Sequence, residues 1–206
     1  LVLLDNQQVP MSVITLTAIY GSPRKGGNTD ILMQSFLKGI DGYDITVREA
    51  FIREMNFSPC TECGGCEKTG ICVIRDDMHT LYEYFIGSDI IVLSAPVFFY
   101  GLNALSKAMV DRCQCFWALK YLLNTKLSAK RGNSGTGVLL SVGGSRGKKN
   151  FDGIFLTTRY FFDALDMDFA YHLTFNEIDE KASVLKHPSA CIDAVQLGKT
   201  IAEKYK

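Results

Sequence analysis

Four cysteines fall within thirteen residues, in the pattern Cys60-x2-Cys63-x2-Cys66-x5-Cys72. Two-residue gaps let successive thiolates converge on one centre while the backbone curls around it, and Gly64, Gly65 and Gly70 permit that curl. A secreted disulfide framework spreads its cysteines along the chain, so this crowding points to metal or redox chemistry instead. Four thiolates are the ligand set of an iron–sulfur cluster. No second cysteine set exists in the chain, so all four would serve one centre. Three other readings stand beside it. One is a structural zinc site, whose usual spacing is two well-separated pairs. Another is a redox-active dithiol or disulfide. The third is a cysteine-rich loop without metal. Cys113, Cys115 and Cys191 read as ordinary helix positions, and His79, His172 and His187 share no ligand spacing. No residue stands out as catalytic in its own right.

A second segment has the chemistry of an anion site. Gly21-Ser22-Pro23-Arg24-Lys25-Gly26-Gly27-Asn28-Thr29 follows an apolar run and opens into a helical pattern. Small residues let the backbone wrap a ligand closely. Ser22, Asn28 and Thr29 offer side-chain hydrogen bonds, Arg24 and Lys25 offer charge, and a helix N-terminus adds free N–H groups. The segment lacks the Gly-Lys-Ser/Thr ending of a Walker loop and is not a GxGxxG turn. Its competing reading is a glycine-rich turn with a helix cap.

Two further segments suit a flat aromatic ligand. Ser94-Ala95-Pro96-Val97-Phe98-Phe99-Tyr100-Gly101 is apolar and aromatic. Gly143-Gly144-Ser145-Arg146-Gly147 offers backbone N–H groups to carbonyl oxygens of a planar ring. Singly, these also read as a buried aromatic cluster and a flexible turn.

The elements around these segments alternate between strand and helix. Residues 13–20, 44–50, 89–94, 136–142 and 167–174 read as strands, and Ile90 to Leu93 form the continuous apolar run of a central parallel strand. Residues 28–40, 103–117, 151–165 and 189–204 read as helices, with another after Asp76 or Asp77, either of which can cap it. Residues 57–75 have no periodicity and read as an inserted Cys-rich loop. Five strands alternating with five helices imply an α/β protein with a parallel sheet between two helical layers, and ligands beyond the carboxyl ends of its strands. The three ligand-suited segments follow strands one, three and four.

GSPRKGGNT, APVFFYGLNALSKAMVDR and the glycine-rich turn together resemble the NADPH-dependent FMN reductase family of flavodoxin-like proteins, over residues 13 to 204. The resemblance implies a five-stranded sheet of order 2-1-3-4-5 and a bound FMN. Its phosphate would be held by Ser22, Arg24, Asn28 and Thr29. Its isoalloxazine would lie against Pro96, Val97, Phe98, Phe99 and Gly101, with Gly143, Gly144 and Ser145 near the pyrimidine edge. Lys107, Asp111 and Arg112 match a family pattern and read as anchors of a helix or an interface. The compact cysteine spacing resembles the iron–sulfur flavoprotein branch, which implies a 4Fe–4S cluster at Cys60, Cys63, Cys66 and Cys72 exchanging electrons with FMN.

Composition is that of an ordinary globular chain, 47% hydrophobic and 21% charged over 206 residues, which fits one domain. Twenty-two basic residues balance twenty-two acidic ones, which gives no footprint for nucleic acid or a membrane surface. No apolar run approaches a membrane span, and Leu1–Leu4 is too short for a signal peptide, so a cytoplasmic location is the expectation. Residues 1–10 read as an extension. The functional expectation is an FMN-dependent oxidoreductase taking electrons from NAD(P)H or a ferredoxin-like donor and passing them to a small-molecule or protein acceptor. Its rivals are a cluster-free NAD(P)H-dependent FMN or quinone reductase and a non-catalytic carrier or thiol sensor. The family resemblance implies a homodimer or homotetramer, for which Phe98–Tyr100 and Trp117–Tyr121 are the candidate surfaces.

Overall fold

The computed structural model describes residues 13–128 and 134–206; the extension read over residues 1–10 lies outside them. Strand β1 (Ile14–Tyr20) leads into helix α1 (Asn28–Ile40), strand β2 (Ile45–Phe51) and a short 3-10 turn (Ile52–Glu54). Helix α2 (Met78–Ile86) precedes β3 (Ile90–Ser94), a small hairpin of β4 (Val97–Phe98) and β5 (Gly101–Leu102), and helices α3 (Ala104–Arg112) and α4 (Gln114–Tyr121). Strand β6 (Gly135–Val142), α5 (Asp152–Ala164), β7 (Met167–Phe175), a second 3-10 turn (Ser183–Lys186) and α6 (Ala190–Lys204) complete the described chain.

The main sheet has the order β2-β1-β3-β6-β7, and every pair in it is parallel. This is the expected 2-1-3-4-5 order of a flavodoxin-like fold, because β6 and β7 are its fourth and fifth strands. Alternation of side chains divides the apolar residues between two faces. Ile91 and Leu93 join Met78, Phe85, Phe116 and Phe161 under α2 to α5. Ile90 and Val92 join Leu32, Phe36, Ala194 and Ile201 under α1 and α6. The central strand is buried on both faces, as its unbroken apolar run requires.

Two features depart from the sequence reading. The helix expected over 103–117 is broken at Cys113, where α3 ends and α4 begins. The Arg112 carbonyl accepts the Tyr82 hydroxyl at 2.9 Å and the Cys115 thiol at 3.6 Å, and the Phe116 N–H turns instead to the Cys113 carbonyl at 2.9 Å. The aromatic segment after β3 is not a plain loop. It folds into the β4–β5 hairpin, whose turn residues Phe99 and Tyr100 sit at φ +48° and +63°.

Candidate functional site

The segment after β1 wraps tightly because its own groups close it. The Gly21 N–H donates to the Ser94 carbonyl at 2.7 Å, fixing the loop to the end of β3. The Ser22 hydroxyl accepts the Arg24 N–H at 3.1 Å, and the Gly27 N–H donates to the Arg24 carbonyl at 3.0 Å. Gly27 is the N-cap of α1 and supplies no side-chain acceptor, so the first amides of the helix have no cap from it. The Thr29 hydroxyl is buried and has no hydrogen-bond partner among the described residues. A buried hydroxyl without a partner, beside uncapped helix amides and the exposed Arg24, fits an anion that supplies the missing hydrogen bonds.

Residues far along the chain hold this loop. Arg53, in the 3-10 turn after β2, donates to the Ser22 carbonyl at 3.3 Å and pairs with Asp30 at 3.1 Å; both side chains are almost fully buried. Asp30 accepts the Gly26 N–H at 2.9 Å. Burial raises the Asp30 carboxyl above its ordinary value, against the lowering by the Gly26 amide and Arg53. Asn103 caps α3 by accepting the Ser106 N–H, and its amide donates to the Gly21 carbonyl at 2.8 Å. Ser141, in β6, donates to the Ala95 carbonyl at 2.7 Å. The loops after β1 and β3 are thereby tied to each other and to the end of β6.

They enclose a cavity of about 320 Å³. Ser22, Arg24, Asn28, Thr29, Pro96, Val97, Phe98, Gly143 and Gly144 all line it; Lys25, Phe99, Gly101 and Ser145 do not. The Asn28 side chain is already engaged: it donates to the Glu180 carbonyl at 2.8 Å and accepts the Val184 N–H at 3.1 Å. It therefore ties α1 to the segment after β7, and what it offers a ligand is its backbone. The Gly143 N–H donates to the Phe175 carbonyl at 3.0 Å and is likewise engaged. Ile178 and Asp179, after β7, form a wall absent from the sequence reading. Nothing in their local sequence marks them, since only the register of the last strand brings them to the cavity.

The Cys loop stands apart from this cavity. It contains no helix or strand from Met55 to Asp77, and Gly64 and Gly70 take φ +68°. Its turn is held by the Gly70 N–H on the Cys66 carbonyl at 2.8 Å. A side chain at Gly70 would collide with Leu119, 2.6 Å from where its Cβ would lie. Burial pushes the Cys66 thiol above its ordinary value, and the nearby thiols of Cys72, Cys60 and Cys63 add to the shift. Among the described residues, no three His, Cys, Asp or Glu side chains stand close enough together to hold a single metal ion. Cys66 and Cys72 pack against the core that contains Cys113 and Cys115. Burial pushes the Cys115 thiol up to about 12.

Aromatic residues remain exposed around the loop ends. Phe99 is fully exposed, and Phe98, Tyr100, Trp117 and Tyr121 are each about half exposed. Trp117 and Tyr160 flank an open groove of about 470 Å³ that reaches Cys60. Lys107 and Asp111 form an exposed ion pair on its rim at 2.7 Å. Among the described residues, no helix is long and apolar enough to cross a membrane.

Comparison with known proteins agrees with this geometry. The family model described as NADPH-dependent FMN reductase matches residues 14–152. An iron-sulfur flavoprotein of Methanosarcina thermophila is 34% identical over 131 residues, 64% of each chain. One of Archaeoglobus fulgidus is 36% identical over 94 residues, 46% of this chain and 43% of that one. The matched region thus spans about half to two thirds of these relatives. Among solved structures, an NAD(P)H:quinone oxidoreductase from Methanothermobacter marburgensis superposes with a TM-score of 0.69 at 14% identity, covering 92% of this chain and 98% of that one. An FMN-dependent NADH-azoreductase from Bacillus anthracis, in complex with FMN, gives 0.62 at 10% identity, covering 92% and 99%.

Proposed function

Because the chain belongs to the NADPH-dependent FMN reductase family, we propose that it is an FMN-dependent oxidoreductase with a 4Fe–4S cluster at Cys60, Cys63, Cys66 and Cys72 as a second electron centre. The observation that carries the FMN half is the convergence of three loops on one cavity, with the partnerless Thr29 hydroxyl at its phosphate end. Bound FMN would supply hydride and single-electron chemistry; the cluster would supply single-electron transfer. The chain's part is to bind and orient. The first amides of α1, the Thr29 hydroxyl and Arg24 would hold the phosphate. Pro96, Val97 and Phe98 would wall the ring, and Gly144, which lines the same cavity, would stand near its pyrimidine edge, with Ser145 following it in the turn. Phe99 and Gly101 lie further out on the hairpin, and Lys25 adds charge at the loop rim.

The iron–sulfur half rests on the four cysteines and on the names of relatives at 34% and 36% identity. Electrons would come from NAD(P)H or a ferredoxin-like donor and leave to a small-molecule or protein acceptor. The exposed aromatics support a homodimer or homotetramer. A cytoplasmic, one-domain protein fits this reading.

A second reading is a cluster-free NAD(P)H-dependent FMN or quinone reductase. It is favoured by one observation: among the described residues, none of the Cys loop lines the FMN cavity. Anaerobic purification separates the two. The expected result is one FMN per chain, with iron and sulfide in equal amounts and one iron for each of the four cysteines. Flavin without iron, together with steady-state NAD(P)H oxidation, replaces the first reading with the second. Failure to bind FMN overturns both.

A further inference from the structure

Both ends of the Cys loop are bonded to one guanidinium. Arg112, the last residue of α3, is only 1% exposed. Its Nη1 donates to the Ser58 carbonyl at 2.8 Å, two residues before Cys60, and to Asp76 Oδ2 at 2.6 Å. Its Nη2 donates to the Ile74 carbonyl at 3.3 Å, two residues after Cys72, and to Asp76 Oδ1 at 3.0 Å. Asp76 completes the closure by accepting the Ser58 N–H at 3.1 Å and the Met78 N–H at 3.1 Å. Burial opposes ionisation of Asp76, but the bonds from Arg112, Ser58 and Met78 outweigh it and hold the carboxyl below its ordinary value. The ion pair is therefore intact at neutral pH.

One donor of this guanidinium is left over. Arg112 Nε is buried and has no hydrogen-bond partner among the described residues. A flexible loop rich in glycine would ordinarily lose entropy when its thiols are gathered. Here one part of that ordering, the joining of the loop's two ends, is already present in the fold, because a planar fork with fixed donors spans both ends and a carboxylate at once.

We propose that Arg112 is a positioning residue for the cysteine site: it joins the two ends of the loop, Ser58 and Ile74, before any metal arrives, so that less of the loop remains to be ordered when the four thiols gather. The proposal rests on the reading of that loop as a metal site. Lysine cannot replace it, since a single ammonium cannot meet Ser58, Ile74 and both oxygens of Asp76 together.

The test uses the full chain in FMN-bound form. Arg112→Lys keeps the charge and removes the fork. Arg112→Met with Asp76→Leu removes the pair without stranding a charge, and serves if the lysine variant does not fold. Two measurements are compared with the unaltered chain. Hydrogen exchange in the metal-free protein reads the amides of Glu67, Thr69 and Gly70, which bond to carbonyls within the loop. Anaerobic titration with ferrous iron and sulfide reads cluster uptake. Closure by Arg112 predicts exchange at those amides at least tenfold faster, and at least tenfold more iron needed for half occupancy, with FMN affinity held within twofold. Unchanged exchange and uptake in either folded variant overturns it. If the unaltered chain takes up no iron, the cluster reading fails by itself, and the exchange measurement still decides whether Arg112 closes the loop.

Discussion

Thr29 carries the most informative single atom in the phosphate loop. Its hydroxyl is buried without a partner, an arrangement that costs stability unless a ligand completes it. Thr29→Val keeps the shape and removes the hydroxyl. The empty protein should be as stable as before or slightly more so. FMN affinity should fall roughly tenfold or more, as expected for a lost hydrogen bond to a charged group. Riboflavin, which lacks the phosphate, should bind both forms alike. Fluorescence titration with the two flavins checks this, and an equal loss for both would place the phosphate elsewhere. At this scale the sequence was informative where local chemistry decides. A threonine at the opening of a helix after a glycine-rich turn is legible as a candidate anion ligand, and the fold leaves its hydroxyl buried and unpartnered among the described residues. Asn28, one residue earlier, looked equivalent. Its side chain is instead engaged by Glu180 and Val184, more than 150 residues away, and no local pattern signals that. Arg53 and Asp30 were invisible for the same reason: each is an ordinary charged residue until β2 brings them together under the loop.

At the scale of elements, the β4–β5 hairpin and the α3–α4 break are the two features that periodicity did not reveal. At the helix break a long-range contact, the Tyr82 hydroxyl on the Arg112 carbonyl, meets the turn where α3 ends. A two-residue hairpin loop with both residues at positive φ ordinarily takes Asn-Gly, because other side chains crowd their own backbone there. Phe99 and Tyr100 occupy those positions, and Phe99 contacts nothing that would repay the strain, being fully exposed. Phe99→Asn should therefore stabilise the chain by about 0.5–1 kcal/mol, which raises Tm by roughly 1–4 °C in a chain of this size. A thermal melt of the isolated variant reads this directly. A fall in Tm would mean that Phe99 is covered in solution, as it would be in a homo-oligomer, and the same sample on a sizing column would distinguish that case. The strands and the outer helices were legible because each carries its own apolar pattern. The helix break was not, since it depends on Tyr82 and Cys115 competing for one carbonyl.

At the scale of the molecule, the phosphate loop is only as well placed as α1, and α1 is placed by α6. The two helices touch through glycine. A Cβ added at Gly198 would lie 2.2 Å from the Phe36 carbonyl oxygen, and one added at Gly39 would lie 2.1 Å from that of Val195. Glycine inside a helix weakens it by about 1 kcal/mol relative to alanine, so its use at both positions marks a backbone approach that no other residue fits. Gly198→Ala forces α6 away from α1. The expected cost is about 1–3 kcal/mol, the range for overpacking a close-packed contact, with a drop in Tm of roughly 2–12 °C. The variation should also reach the flavin, because the first turn of α1 lines the cavity and Asn28 joins it to the segment before α6. If FMN binds only the folded chain, it should restore stability by the linkage relation, about 2.7 kcal/mol at a hundredfold excess over Kd. A displaced α1 binds FMN more weakly, so at the same FMN concentration the variant should regain less than the unaltered chain does. Melts of both proteins across an FMN series measure the difference. Equal recovery would show that α6 supports the fold without setting the geometry of the phosphate loop.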